Sequence, residues 1–113
     1  MKTQKQKFDK TIVITRRLWG KYSLRDAHNM RCCLGFLCES YGVSPKISIE
    51  EGQIYDLPIK VRKNLPKWMS GIVFNDEASA INDSGILSFK QKETQLKVLF
   101  AKHGVRLVFR GKR

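Results

Sequence analysis

The chain has 113 residues, 42% hydrophobic and 28% charged; this is enough for one hydrophobic core, too few for two ordinary domains, and at odds with a wholly disordered chain. Twenty-two Lys/Arg face 10 Asp/Glu, a formal net charge of +12, which points toward polyanions or acidic protein surfaces as partners. Apolar runs are short, the longest lying around Lys97 to Ala101, so no membrane span is expected.

Residues 1–7 form a basic stretch with no apolar region behind it, which reads as a solvated arm rather than a secretory signal. Phe8, Ile12, Thr15 and Trp19 then fall at i, i+4, i+7 and i+11, a spacing that predicts one helix face closed by Gly20. The β-branched run from Thr11 to Thr15 pulls toward a strand instead; the spacing is given the greater weight. Tyr22 to Asp26 and Met30 to Cys33 are expected to pair as a hairpin around Ala27-His28-Asn29, where Asn accepts a left-handed turn. Leu34, Leu37, Cys38 and Tyr41 lie at i, i+3, i+4 and i+7 before Gly42, which predicts a buried helix.

Val43 to Asp56 reads as irregular, with a short strand at Ile47 to Ile49. Pro58 suits the first residue of a short helix through Asn64, which Pro66 stops. Trp68-Met69 is expected to pack on the core, and Ile72-Val73-Phe74 to form a short apolar strand or core loop. Two Asn-Asp pairs follow, Asn75-Asp76 and Asn82-Asp83, the second completed as a turn by Ser84-Gly85. Ser88 is a good N-cap for a last helix carrying Phe89, Leu96, Leu99, Phe100 and His103 on its apolar stripe. Lys90 and Lys97 share its opposite face. Gly104 ends it, and Val105 to Phe109 alternates as a half-buried strand. The expected fold class is α+β: a small single domain over residues 8–113, with three to four helices and a short antiparallel sheet, behind the basic arm 1–7.

Around the segment Arg31-Cys32-Cys33-Leu34-Gly35-Phe36-Leu37-Cys38 the chain resembles a family of small phage and prophage proteins. The shared pieces are Gly20-Lys21-Tyr22, the Cys32 to Cys38 core, Leu65-Pro66-Lys67-Trp68, and Asn82-Asp83-Ser84-Gly85 followed by Leu87-Ser88-Phe89. Their order covers the chain from about Leu18 to the C-terminus. The resemblance implies a phage origin and a bacterial cytoplasm, and it implies no reaction. The basic arm before Phe8 and the tail Arg110-Gly111-Lys112-Arg113 are not part of the shared pattern, so charge-based binding would be particular to this member.

Cys32, Cys33 and Cys38 form an odd, tight cluster that suits reduced thiols. With His28 they could be drawn as a zinc set, but adjacent cysteines rarely both reach one tetrahedral ion, and Cys38 lies on the buried stripe. No metal or other cofactor is therefore expected. A nucleophile would be Cys32 or Cys33 at a helix N-terminus, with His28 or His103 as base and Asp83 or Asn82 as orienter. No spacing ties those residues together, and core packing is the plainer role.

The charge is lopsided. Residues 1–31 hold nine Lys/Arg against two acids, residues 32–85 five against seven, and residues 86–113 eight against one. A fold could gather both basic ends on one face, where Arg16, Arg17, Lys21, Arg25 and Arg31 would join Lys90, Lys97, Lys102, Arg106 and Arg110 as phosphate contacts. Trp19 and Tyr22 would stack on bases, and Asn82 and Asp83 would read a ligand's hydrogen-bonding edge. No helix-turn-helix or zinc-finger signature is present. The expected function is a non-enzymatic phage accessory protein that binds nucleic acid or a nucleotide-like ligand in a host-takeover or counter-defence role. The alternatives are an inhibitor that meets an acidic host or defence protein with the same face, and a small cysteine-dependent enzyme.

Overall fold

The computed structural model describes residues 8–49 and 51–113; the expected arm at 1–7 lies outside the described residues. The first element is a strand, β1 (Lys10–Thr15), with Ile12 and Ile14 buried and Thr11 and Val13 exposed. The expected helix over Phe8 to Trp19 does not form. Five residues in a row there are β-branched, each losing rotamer freedom in a helix, and the two-residue alternation buries both isoleucines in a way a helix could not. A single 3-10 turn, Arg16–Leu18, follows.

At the other end of the chain β2 (Val105–Arg110) buries Val105, Leu107 and Phe109 and exposes Arg106 and Arg110, the alternation its sequence predicts. The two strands pair in parallel, from Lys10 opposite Val105 to Thr15 opposite Arg110. This corrects the expected antiparallel sheet. A parallel pair needs a long crossover, and here residues 16–104, with every described helix, form it. The hairpin at residues 22–33 forms no ladder: Asp26 N–H donates to Met30 O and Cys32 N–H to Ser23 O (both 2.9 Å), but between them Arg31 bonds outside it. Arg31 N–H donates to Leu18 O (2.8 Å) and Arg31 O accepts from Gly20 N–H (2.7 Å). The carboxylate of Asp26 takes the N–H groups of His28 and Met30 (2.8 and 2.9 Å), closing a tight turn in which Asn29 has φ +64°.

The buried helix at the cysteine cluster is α1 (Cys33–Ser40), ended by Gly42 at φ +85°. Gly35 lets it lie directly on the backbone before it: a Cβ there would sit 1.8 Å from Leu24 O. The expected strand at Ile47 is instead the helical turn α2 (Pro45–Ser48), capped by the Ser44 hydroxyl with Pro45 at its first position. Residue Pro58 caps α3 (Ile59–Arg62). Met69 is fully buried, and Trp68 stacks on His103 with ring centroids 4.4 Å apart.

Ile72-Val73-Phe74 opens a helix, α4 (Ile72–Asn82), rather than a strand or core loop. Its buried face is Phe74, Asn75, Ala78 and Asn82, a helical spacing in which two positions are asparagine. Asn75 is wholly buried and acts as a clip: its amide group donates to Met69 O and Gly71 O (2.7 and 2.8 Å) and its carbonyl accepts from Ile54 N–H (2.8 Å). Residues that read as turn formers thus sit on a core face, each paired as burial demands. The last helix, α5 (Phe89–Ala101), starts with a full capping box in which Ser88 and Gln91 bond each other's backbone N–H. Five α-helices are described, more than the three to four expected, and the α+β class holds. Among the described residues no helix is long and apolar enough to cross a membrane.

Candidate functional site

Register fixes the site. Because Thr15 lies opposite Arg110, the basic stretch that leaves β1 and the basic tail that leaves β2 emerge at the same end of the sheet. Arg16 spans them. Its guanidinium makes a two-toothed pair with Glu93 of α5 (2.8 Å for both bonds) and also donates to Gly111 O (3.0 Å). Arg113 joins the same carboxylate at 3.3 Å and lies over the Phe89 ring, 3.3 Å from its centroid. Glu93 is held below the ordinary carboxylate range, chiefly by the hydrogen bond from Arg16 and then by the charges around it.

Asn82, at the C-terminus of α4, ties this end of the molecule together. Its Oδ1 accepts from Trp19 Nε1 (2.6 Å) and from the Cys33 N–H (2.9 Å). Its Nδ2 donates to Gly20 O (2.9 Å) and to Asp83 Oδ1 (2.8 Å), and its own backbone carbonyl takes the Lys92 ammonium at 2.9 Å. An asparagine amide has two donors and two acceptor sites, and all four are used inside the protein. Asn82 therefore cannot read a ligand's edge, contrary to expectation. Asp83 is partly committed too, since the same Oδ1 accepts from Tyr22 N–H at 3.1 Å.

Trp19 is 7% exposed, packed against Phe89 and Phe109 with centroids 5.9 and 4.9 Å away. A buried indole stacks on no base, so the expected platform at Trp19 is corrected as well. At this end of the sheet the aromatic side chains that face solvent are Tyr22, 69% exposed, and Phe89, 47% exposed. Tyr22 holds a left-handed backbone, φ +70°. Its side chain is thereby displayed beside Lys21 while its N–H is pinned to Asp83.

The ten expected phosphate contacts divide. Arg25 and Arg31 both pair with Glu39 (3.1 and 2.5 Å), and Arg25 is buried. They clamp α1 to the preceding loop and are corrected as binding residues. Arg16 is engaged by Glu93. Arg17, Lys21, Lys90, Lys97, Lys102, Arg106 and Arg110 are exposed and make no ion pair among the described residues. Of these, Arg17, Lys21 and Arg110 lie at the end where Arg113, Phe89 and Tyr22 gather. Lys102, just before Gly104, stands at the opposite end of β2, about 20 Å away for a strand of that length.

The cysteines are core. Burial pushes the Cys32 thiol up to about 11 and Cys38 up to about 12, and raises Cys33 well above its ordinary value. Cys33 sits at the start of α1, but its Sγ is packed under Ala78 O at 3.8 Å, and exposed His28 offers it no base. A thiolate nucleophile needs the opposite environment. Among the described residues no three His, Cys, Asp or Glu side chains gather at metal-binding spacing.

Four residues of the site were not singled out from sequence. Glu93 had a signal: it is the single acid among the eight bases of residues 86–113. Lys92 had one too, since it falls at i+3 from Phe89 on the apolar stripe of α5, and it is 2% exposed. Burial and the Lys21 charge lower its proton affinity, against the opposing pull of Asp83. Phe89 read as core and Arg113 as tail; their contact has no sequence signature. No family model, curated protein or solved structure matches this chain.

Proposed function

We propose that this protein binds single-stranded nucleic acid at the end of the sheet that carries the exposed cations Arg17, Lys21 and Arg110 together with Tyr22 and Phe89. The observation that carries the reading is the parallel register, which sets Thr15 opposite Arg110 and leads on to the Arg16 bond with Gly111 O. Exposed cations there supply phosphate contacts, and the exposed Tyr22 ring, with the part of Phe89 that Arg113 leaves uncovered, supplies base stacking, the combination single strands require. A duplex would hide its base faces and gain nothing from the rings, so the rings favour a single strand over duplex DNA. The buried thiols, each pushed to a high pKa, speak against the cysteine-enzyme alternative.

The phage accessory role, in a bacterial cytoplasm, rests on the motif likeness. The shared motifs themselves do structural work here: Cys33 and Cys38 fill the core, Gly35 admits Leu24, and Asn82 is the buried hub. A binding role would then belong to the residues outside the shared pattern, above all the Arg110 to Arg113 tail.

The test is fluorescence anisotropy of a labelled oligonucleotide of about 15 nucleotides, titrated from about 50 to about 200 mM salt. Micromolar or tighter binding is expected. Its log–log salt slope should be near −0.7 per phosphate contact, so three contacts give about −2.1. Arg17→Glu with Arg110→Glu should flatten that slope, and Tyr22→Ala should weaken binding without changing it. Affinity indifferent to salt, or no binding at low salt, defeats the proposal.

A further inference from the structure

Among the described residues the outer edge of β2 is an unfilled strand position. Lys10 N–H donates to Gly104 O (3.3 Å). Since alternate residues of a strand address the same neighbour, Arg106, Val108 and Arg110 turn their backbone groups toward β1. The N–H and C=O groups of Val105, Leu107 and Phe109 then point to the other side. None of them has a backbone partner there among the described residues. Backbone donors and acceptors left in this state form a template for another strand.

A groove of about 450 Å³ runs along that edge. Its floor is the consecutive run Arg106 to Phe109, which brings residues of both strand faces to one rim and so marks a groove that follows the backbone. Its far wall is α5, with Val98 and Lys97, and Phe8 closes one end. Val98 is 58% exposed and Phe8 38%, so apolar surface lies open beside the free edge. The ionisable side chains on this wall and floor are Lys97 and Arg106, both basic.

We propose that the β2 edge docks an extended acidic peptide segment of a partner protein, added as a third strand with its apolar side chains against Val98 and Phe8. Backbone bonds to Val105, Leu107 and Phe109 supply affinity, and carboxylates opposite Lys97 and Arg106 supply selectivity. A second copy of this chain is disfavoured, because its β2 would bring Arg106 and Arg110 against the same basic rim, and each copy carries +12. The site is separate from the nucleic-acid proposal, which uses the end of the sheet beyond Arg110.

The probe is a capped peptide of about eight alternating Glu and Val residues, added to the ¹⁵N-labelled full chain and followed by amide NMR. Shifts and slowed exchange are expected at Val105, Leu107 and Phe109. A Lys/Val peptide of the same length should leave them unmoved. Lys97→Glu with Arg106→Glu, both exposed positions, should weaken the Glu/Val peptide about tenfold or more. The variant's undisturbed spectrum elsewhere verifies its fold.

The proposal is overturned by shifts confined to Tyr22, Phe89 and the 110–113 tail, or by equal response to the two peptides. It is also overturned if binding emerges only after residues 1–7 are deleted, because the chain's own arm would then hold the edge. Oligonucleotide binding is read at the other end, by Arg17→Glu with Arg110→Glu, so either proposal can fail alone.

Discussion

The indole Nε1 of Trp19 donates to Oδ1 of Asn82 across 2.6 Å, joining the segment that leaves β1 to the C-terminus of α4. That bond, with those to Gly20 O and the Cys33 N–H, brings two stretches, at residues 19–20 and at Cys33, to one side chain distant from both in sequence. The α4–α5 turn is held by the same residue through the Lys92 ammonium on its carbonyl. The aromatic and basic surface at this end of the sheet therefore stands on a buried polar hub, which fixes the position of Lys21 and Tyr22 relative to Phe89.

Asn82→Ala leaves the Trp19 indole N–H and the Cys33 N–H without acceptors inside a dry site, each a cost of desolvation with no return. A loss of about 3 kcal/mol is expected, measured by urea unfolding. Asn82→Asp is the sharper variant, since it keeps both acceptors but loses the donor to Gly20 O and sets a second carboxylate beside Asp83. It should also destabilise, and more at neutral pH than in acid. If the alanine variant unfolds like wild type, the hub is not holding the fold.

Gly35→Ala tests the contact of α1 with the backbone before it. The added methyl would fall 1.8 Å from Leu24 O and 2.7 Å from Leu24 C, so backbone must move, not a flexible side-chain end. The helix would lift from Leu24, which is itself fully buried. A loss of about 3 kcal/mol is expected, and Gly85→Ala, at a position with nothing near its Cβ, should cost far less. Thermal unfolding of the two variants side by side decides it.

The thiols should behave as core. In the folded protein Cys33 and Cys38 should resist a thiol reagent at neutral pH, and all three cysteines should react once urea unfolds the chain. Cys38→Ala should cost about 1 kcal/mol through a small cavity and leave oligonucleotide affinity unchanged. Rapid labelling of one thiol in the native state would reopen the question of a reactive cysteine.

Much of the fold was legible where one periodicity dominates. The alternation of Val105 to Phe109, the stripe and Ser88 cap of α5, and the Leu34-Leu37-Cys38 face of α1 all give the elements found. The failures have two physical causes. In Phe8 to Trp19 two periods overlap, and the strand prevailed because β1 gains a partner 95 residues away, a contact local spacing cannot report. In Ile72 to Asn82 buried asparagines disguise a helix face, since their turn preference holds only where their side chains lack a tertiary partner. Convergence of the two basic ends was an expectation from charge counts alone; the parallel register is what brings Arg16 to Gly111. Which arginines would be consumed by Glu39 and Glu93 could not be read, because both pairings depend on tertiary packing.

Glu93 gives the molecule a defined acid response. Its carboxyl is depressed below the ordinary value of 4.5, first by the Arg16 hydrogen bond. Between the depressed and the ordinary value the unfolded chain binds more protons than the folded one. The stabilisation is therefore fully present above the ordinary value and is lost as pH falls through the depressed one. Glu93→Gln should lower the Tm near neutral pH and free the tail, since Arg16 and Arg113 lose their shared anion. The gap between wild type and variant should then narrow as pH falls toward about 3. Calorimetry of both proteins across that range, with tail amides followed by NMR, checks the two consequences together. A gap that stays constant through the acid range would mean that the Arg16–Glu93 pair contributes by shape alone and that its charge is idle.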